Sequence, residues 1–450
     1  MSLPTYGEYR ESSASWLGAV PAHWAIVQSR RYFANRNEKA VAGDTQLTAS
    51  QKHGVVYQAD FMELEGQKVM QVIVGADILK HAEPNDFVIS MRSFQGGIEW
   101  CGLRGSISSA YVMLVPNDAI WSPFYRYLFK SAPYIQALQA TTNLVRDGQA
   151  LRFSNFAQVP LPLLPVEEQQ LIATFLDRET AKIDALIAEQ EKLIGLLAQK
   201  RQATISHAVT KGLNPHAPMK ESGLPWLGAV PAHWVICPLR RVVLAIEQGW
   251  SPECYAREAE AGEWGVLKAG CLNGGVFRPS QNKALPPELT PETTYEVRAG
   301  DILMSRASGS PELVGSTALV NETRPGLMLS DKIFRLRLQD SMVPRYFVVA
   351  LNSRALRVQI ENALSGGNGM ANNLPQSNLL TFSIPVPPTP EQEAVADFVE
   401  AEITKLDTLS AESERAIALL KERRATLIAA AVTGKIDVRG TKRDQTGREQ

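Results

Sequence analysis

Two stretches of the chain carry apolar residues at helical spacing for about forty positions each. In the first, from about Val166 to Lys211, Leu176, Ile183, Ile187, Ile194 and Leu197 recur at heptad intervals, and Leu186, Leu193 and Leu196 widen the face. In the second, Val399, Ile403, Leu406, Ile417, Leu420 and Leu427 form the stripe, widened by Leu409 and Leu419. The first opens on Pro165 and an acidic turn, Glu167-Glu168, which suits the positive end of a helix. The second follows Pro387-Pro388-Thr389-Pro390, with Thr389 as its candidate cap. Both stop at glycine, Gly212 and Gly434. At 1.5 Å per residue each pattern predicts a helix ~60 Å long. A helix of that length cannot bury its stripe in one small domain, so the two are expected to pair as an antiparallel coiled coil. Gln190, Arg201, Ser410, Ser413 and Arg424 interrupt the stripes. An ideal two-stranded seam is therefore not expected, and apolar surface is left over for another protein. Ile183, Ile187, Ile194, Leu197, Ile403, Leu406, Ile417 and Leu420 are assigned to helix or partner packing.

Elsewhere short β-like runs alternate with Gly, Asn and Pro turns. Strands are expected at Lys68–Val74, Asp86–Met91 and Ser109–Val115, and again at Gly265–Ala269, Gly300–Ser305, Thr317–Val320 and Ile333–Leu338. Helical stretches follow at Pro123–Ala140 and Pro344–Leu364. The fold class is α+β, with two α/β domains separated by the long helices.

The elements repeat. Trp16-Leu-Gly-Ala-Val-Pro-Ala-His-Trp24 returns unchanged as Trp226–Trp234, an offset of 210. Pro165-Val-Glu-Glu-Gln169 corresponds to Pro388-Thr-Pro-Glu-Gln392, and Ala208-Val-Thr210 to Ala431-Val-Thr433, an offset of 223. A solenoid would need shorter and more numerous units. Residues 34–159 and 244–384 align poorly although their borders align well. One frame with two fillings suits two different binding specificities.

Composition bounds the readings. The 450 residues hold 46 basic and 47 acidic side chains. Residues 1–160 carry 14 and 13, and residues 220–385 carry 16 and 15, so neither domain has a global positive field. Nucleic-acid affinity would have to come from grouped basic residues or from a partner. The four cysteines form no CxxC pair, so no zinc site or disulfide framework is indicated. No apolar run reaches the ~20 residues of a membrane span, and the N-terminal stretch lacks a signal's features. A cytoplasmic location and no membrane partner are expected.

In Asp86-Phe-Val-Ile-Ser90-Met-Arg92 and Asp301-Ile-Leu-Met-Ser305-Arg306 a strand-like run ends in a hydroxyl and an arginine. Serine can bond phosphate and arginine can bind guanine bidentately, so these positions are candidate DNA contacts. Polar loops nearby add Gln95, Asn143, Arg146, Ser308, Asn368 and Asn372. His23 and His233 have no repeating nucleophile or base beside them, so with their tryptophans they read as structural. No catalytic or metal-ligating residue is assigned.

The Trp-Leu-Gly-x-Val-Pro-x-His-Trp opening, Gly300-Asp-Ile-Leu-Met-Ser-Arg306, the Pro-x-x-Glu-Gln helix starts and the Lys421-Glu-Arg-Arg-Ala-Thr-Leu-Ile ending followed by Ala431-Val-Thr-Gly-Lys435 resemble the specificity subunit of type I restriction–modification systems. The resemblance runs from about residue 8 to 438. The first copy departs from it, with Asn85 at the place of Gly300 and Met91 inserted before Arg92. The resemblance implies target recognition domains at 1–160 and 213–385, spacer helices at 161–212 and 386–435, and leaves 436–450 as a polar tail expected to be disordered. It implies a non-catalytic reader of a bipartite double-stranded DNA target that docks two methyltransferase subunits and restriction subunits. The partners, not this chain, would use S-adenosylmethionine, ATP and Mg. The absence of a Gly-x-x-x-x-Gly-Lys-Ser/Thr phosphate loop agrees. The alternatives are an enzyme with an unrecognised nuclease or methyltransferase site, and a protein–protein scaffold.

Overall fold

The computed structural model describes residues 3–66, 78–142, 150–364 and 372–440. The strand expected at Lys68–Val74 lies outside them. The chain forms two compact units, one of Met1–Glu191 with Arg415–Gln450, the other of Lys192–Glu414.

In the first unit a four-stranded antiparallel sheet has the order Phe33–Arg36, Val112–Pro116, Phe87–Ile89, Glu99–Trp100. Successive side chains on a strand point to opposite faces. Phe87, Ile89 and Leu114 accordingly enter a large core with Phe124, Phe129 and Phe156. Val88 and Met113 enter a second cluster with Leu47, Val55 and Ile107. Burial on both faces explains why the run Phe87-Val-Ile89 is apolar throughout rather than alternating. The helical stretch expected at Pro123–Ala140 is two helices, Ser122–Leu128 and Ala132–Gln139.

The second unit repeats this order with Val243–Gln248, Ile333–Leu338, Ile302–Ser305 and Thr317–Leu319. Ile302, Met304 and Phe334 face its large core, while Leu303 and Ile333 face a second cluster. A smaller sheet joins Asn282–Ala284 antiparallel and Leu327–Met328 parallel to Gly265–Leu267. The Asn85/Gly300 mismatch has a simple cause. Both residues adopt left-handed backbone, with φ of 78° and 89°. Asparagine tolerates that region better than other side chains. Each is followed by a buried aspartate, Asp86 or Asp301, that accepts the backbone N–H of Glu83 or Arg298 at 2.9 Å.

The long helices span Val166–Lys211 and Thr389–Val432. In the first unit, Ile172, Phe175 and Leu176 share a core with Ile428, Ala431 and Val432, and further along Arg424 Nε donates to Asp184 at 2.8 Å. In the second unit, Ile205, Ala208 and Val209 share a core with Val395, Ala396 and Val399, and Arg201 lies 3.9 Å from Asp407. Within each unit the paired residue numbers rise on one helix and fall on the other, so the pairing is antiparallel. Ile183, Leu197 and Leu406 are buried, and Ile187, Ile194, Ile403, Ile417 and Leu420 are half-buried. The interrupting polar residues sit in the same row, with Ser413 buried and Gln190, Arg201, Ser410 and Arg424 half-buried. The widening row stays exposed: Leu186 and Leu419 in the first unit, Leu193, Leu196 and Leu409 in the second.

Two expectations are corrected. Thr389 is the first helical residue rather than the cap; Pro388 holds that place, and its carbonyl accepts Glu391 N–H at 2.9 Å. Residues 436–440 are not a loose tail, because Val438 and Ile436 supply apolar surface to the first core. Asp437 N–H donates to the Pro4 carbonyl at 2.7 Å, and the Arg439 guanidinium lies 4.7 Å from the Tyr6 ring centre.

The repeated motifs meet in space. Buried Glu168, in the first helical turn, accepts from Tyr6 Oη at 2.7 Å and Trp24 Nε1 at 3.1 Å, and its other oxygen lies 2.8 Å from His23 Nε2. The neighbouring Gln169 accepts Trp121 N–H at 2.7 Å and donates to the carbonyls of Ala119 and Leu164. In the second unit Gln392 accepts Val343 N–H at 2.8 Å and donates to Ser341 and Pro387 carbonyls. His233 lies 2.7 Å from Glu391, but Trp234 Nε1 is buried with no partner among the described residues, and exposed His216 stands where offset 210 matches Tyr6. The helix ends close each ring of contacts. Lys435 Nζ donates to Ala19 O and Lys211 Nζ to Ala229 O, both at 2.5 Å. Glu168→Ala should therefore cost the first unit roughly 2–4 kcal/mol, since it strands several buried donors. Glu391→Ala should cost the second unit about 1 kcal/mol or less. Amide-exchange protection at Ala19–Gln28 and Ala229–Pro238 measures both, and equal losses would contradict this asymmetry.

Candidate nucleic-acid interface

In the first unit the chain leaves the strand Phe87–Ile89 through a tight turn. Ser90 N–H donates to Ser93 Oγ at 2.9 Å, and Ser90 Oγ accepts Arg92 N–H at 3.3 Å. Ser90 is therefore buried and engaged, and does not reach the surface as expected. The residues after it do. Arg92 and Gln95 are exposed beside Met91 on a loop clasped from three sides. Gln51 donates to Arg92 O at 3.0 Å, Lys130 to Gly96 O at 3.0 Å, and Gln139 to Phe94 O at 2.7 Å. The loop thus presents a cation and an amide on a fixed backbone. Asn143 and Arg146 lie outside the described residues.

In the second unit Ser305 is also buried, because the strand that carries it is covered on both faces. Its Oγ has no partner among the described residues. This second serine likewise fails as a surface contact. Arg306 is half-buried; Nη1 donates to Asp331 O at 3.1 Å, and the guanidinium lies 5.7 Å from the Phe334 ring centre. Ala307–Ser308 pairs with Asn372–Asn373, and Asn372 Nδ2 donates to Gly309 O at 3.3 Å. Arg306, Ser308 and Asn372 are thereby brought together, whereas Asn368 lies outside the described residues.

Other arginines serve the scaffold. Arg36 binds Asp86 through Nε at 3.0 Å and Nη2 at 3.2 Å. Buried Arg335 is held by Asp301, Glu247 and the carbonyls of Thr294 and Glu296. These charges are committed and do not count toward an anion-binding face.

No family model matches the chain. The specificity subunit of the EcoEI type I restriction enzyme from Escherichia coli is 32% identical over 211 residues, 46% of this chain and 35% of that subunit, so this match spans about a third of the relative's length. The EcoKI specificity subunit from Escherichia coli K12 is 23% identical over 380 residues, covering 81% of this chain and 78% of its own. Among solved structures, a chain from work on assembly and conformational transition of the type I R-M system superposes with a TM-score of 0.68 at 14% identity, covering 92% of this chain and 98% of its own. The HsdS subunit of Thermoanaerobacter tengcongensis does so with 0.52 at 15%, at the same coverages. This chain is a homologue of the type I specificity subunits. It has their fold, two mixed domains joined by long helices.

Within this specificity-subunit homologue, sequence reading missed the residues that hold the loops. Gln51, Lys130 and Gln139 lie far from residues 91–97 in sequence and follow no motif, so only the fold brings them there. It also missed His81, buried between Asp44 Oδ2 at 2.7 Å from Nδ1 and Glu83 Oε1 at 2.8 Å from Nε2. Burial alone would lower the imidazole's pKa, but the two carboxylates outweigh it and hold the ring above its usual value. Its contribution is thus complete below the unfolded-state pKa of about 6.5 and fades as pH rises through the higher folded value. In melts between pH 6 and 9, the native first unit should exceed His81→Gln most at the acid end, with the gap narrowing upward. A constant gap would show that the charge on His81 contributes nothing.

Proposed function

We propose that this chain is the DNA-reading subunit of a type I restriction–modification complex and performs no chemistry itself. One observation carries the reading. The same four-stranded scaffold occurs twice, clasped to a long helix by the same Glu-Gln pair, while the loops at matching places differ. Arg92 and Gln95 stand out in the first unit, and Arg306, Ser308 and Asn372 gather in the second. Two unlike loop sets on like frames suit two unlike half-sites of one interrupted double-stranded DNA target. Loops fixed by side-chain clasps lose little entropy on binding, which favours discrimination.

The partners are two methyltransferase subunits and the restriction subunits. They supply S-adenosylmethionine chemistry, ATP use and Mg-dependent cleavage. The exposed leucine rows on the long helices are apolar surface of the kind such partners cover. Among the described residues no helix is long and apolar enough to cross a membrane. A DNA target places the complex in the cytoplasm.

The test is reconstitution with the methyltransferase encoded beside it. The complex should bind its target roughly 10³-fold or more tighter than random DNA at physiological salt. Arg92→Ala with Gln95→Ala should weaken discrimination in one half-site only. Methylation mapping should give one bipartite site with fixed spacing. Equal affinity for target and random DNA would end this reading.

A further inference from the structure

The second unit contains a cleft of about 320 Å³ that the motifs do not announce. Its walls include Lys268, Lys283, Lys332, Ser251, Ser330 and Asp331. Lys283 stands opposite Val266 in the antiparallel pair, and Lys268 lies two residues beyond Val266. Alternation puts both lysines on the same sheet face, as diagonal neighbours. Among the described residues the Asp331 carboxylate is the one acid on the cleft wall, and it is already occupied. It accepts from Lys332 Nζ at 3.0 Å and from the Ser251 hydroxyl. Among the described residues Lys268 and Lys283 make no ion pair, so the cleft keeps uncompensated positive charge. A second observation is independent of the lysines. Ser330 is 4% exposed, yet among the described residues its Oγ has no hydrogen-bond partner. Buried hydroxyls are ordinarily paired, so an orphan on a cleft wall marks a place where an external acceptor fits. The cleft also adjoins the candidate interface, since Arg306 binds the Asp331 and Lys332 carbonyls through Nη1 and its backbone N–H at 3.1 and 2.8 Å.

We propose that this cleft seats a backbone phosphodiester of the DNA bound by the second domain. Lys268 and Lys283 neutralise its charge and Ser330 donates to a non-bridging oxygen. The inference rests on the DNA-reading function proposed above. Phosphate contacts fix position and register but carry no base information. The cleft would therefore anchor the domain while Arg306, Ser308 and Asn372 meet the bases.

The test compares the reconstituted methyltransferase complex with its Lys268→Ala/Lys283→Ala and Lys268→Arg/Lys283→Arg variants, on target and random DNA across salt. The alanine variant should lose affinity for both DNAs by a similar factor. Its slope of log K against log salt should be shallower by about 0.9, the value for one neutralised phosphate. The arginine variant should keep the native slope. Inorganic phosphate, titrated against the complex without DNA, should compete only at millimolar concentration. An unchanged slope in the alanine variant would overturn the proposal, as would loss of target preference at constant slope, which would mean base readout. Micromolar phosphate binding with unaltered DNA affinity would assign the cleft to a free anion. If the native complex fails to prefer target over random DNA, the DNA-reading function itself fails. If native discrimination is intact and only the slope is unmoved, the cleft proposal alone fails.

Discussion

The structure depends on a carboxylate buried in the first turn of a long helix. Glu168 is placed where the helix dipole favours negative charge, and it takes its donors from a loop more than 140 residues earlier in the chain. A buried charge is costly unless hydrogen-bonded, so the contact is close to all-or-none. It fixes where the sheet domain meets the helix and in which orientation. Gln169 then secures the loop at Ala119–Trp121. The Pro-x-x-Glu-Gln and Pro-Ala-His-Trp motifs are two halves of this one joint. The far end of the other long helix completes it, since Cβ on Gly434 would fall 2.4 Å from Pro21, and Lys435 reaches Ala19. That glycine also needs φ of +71° to end the helix, so space and backbone conformation both demand it.

The joint makes the frame of each unit independent of its filling. Sheet order, the left-handed turn before Asp86 or Asp301, and the Glu-Gln clasp recur, while the loops after the central strands do not. The polar residues in the helix rows belong to the same logic. A wholly apolar seam would be more stable but would specify register poorly. Arg424 with Asp184 ties one position to one partner, and so fixes the helix pair in register within the first unit. Register matters more than raw stability in a chain whose long helices carry the sheet domains.

Much of this was legible in sequence, and the reason is periodicity. Heptad rows, proline starts and glycine stops located the long helices within a few residues, and the exact repeat exposed the duplicated frame. Thr389 misled because a threonine beside prolines looks like a cap, whereas the Pro388 carbonyl already fills that place. Residues 436–440 misled because two apolar residues, Ile436 and Val438, are too few to make a pattern yet enough to bury. At the candidate interface the reading of Ser90 and Ser305 failed for one physical reason. Both end strands buried on two faces, so the hydroxyl turns inward however polar the residue. Lys268, Lys283 and Lys332 could not have been grouped by eye, because antiparallel and parallel pairings gather them across more than sixty residues.

Near-neutral charge was the main objection to a nucleic-acid partner, and the ion pairs change its meaning. Many of the arginines that equalise the count in the sheet domains are spent inside the fold. Arg36 is bound to Asp86, and Arg335 and Arg337 to Asp301 and Glu247. Such pairs cancel in the net charge and project little field beyond a Debye length of about 8 Å at physiological salt. What an approaching polyanion meets is the remainder, such as exposed Arg92 and Lys268 and Lys283 of the cleft. A neutral domain can therefore attract DNA at one face and ignore it elsewhere. Weak long-range attraction has a use in a reader of sequence, because phosphate affinity is shared by every site and dilutes preference for the right one. Fixed loops and a few local cations thus favour discrimination over bulk phosphate affinity.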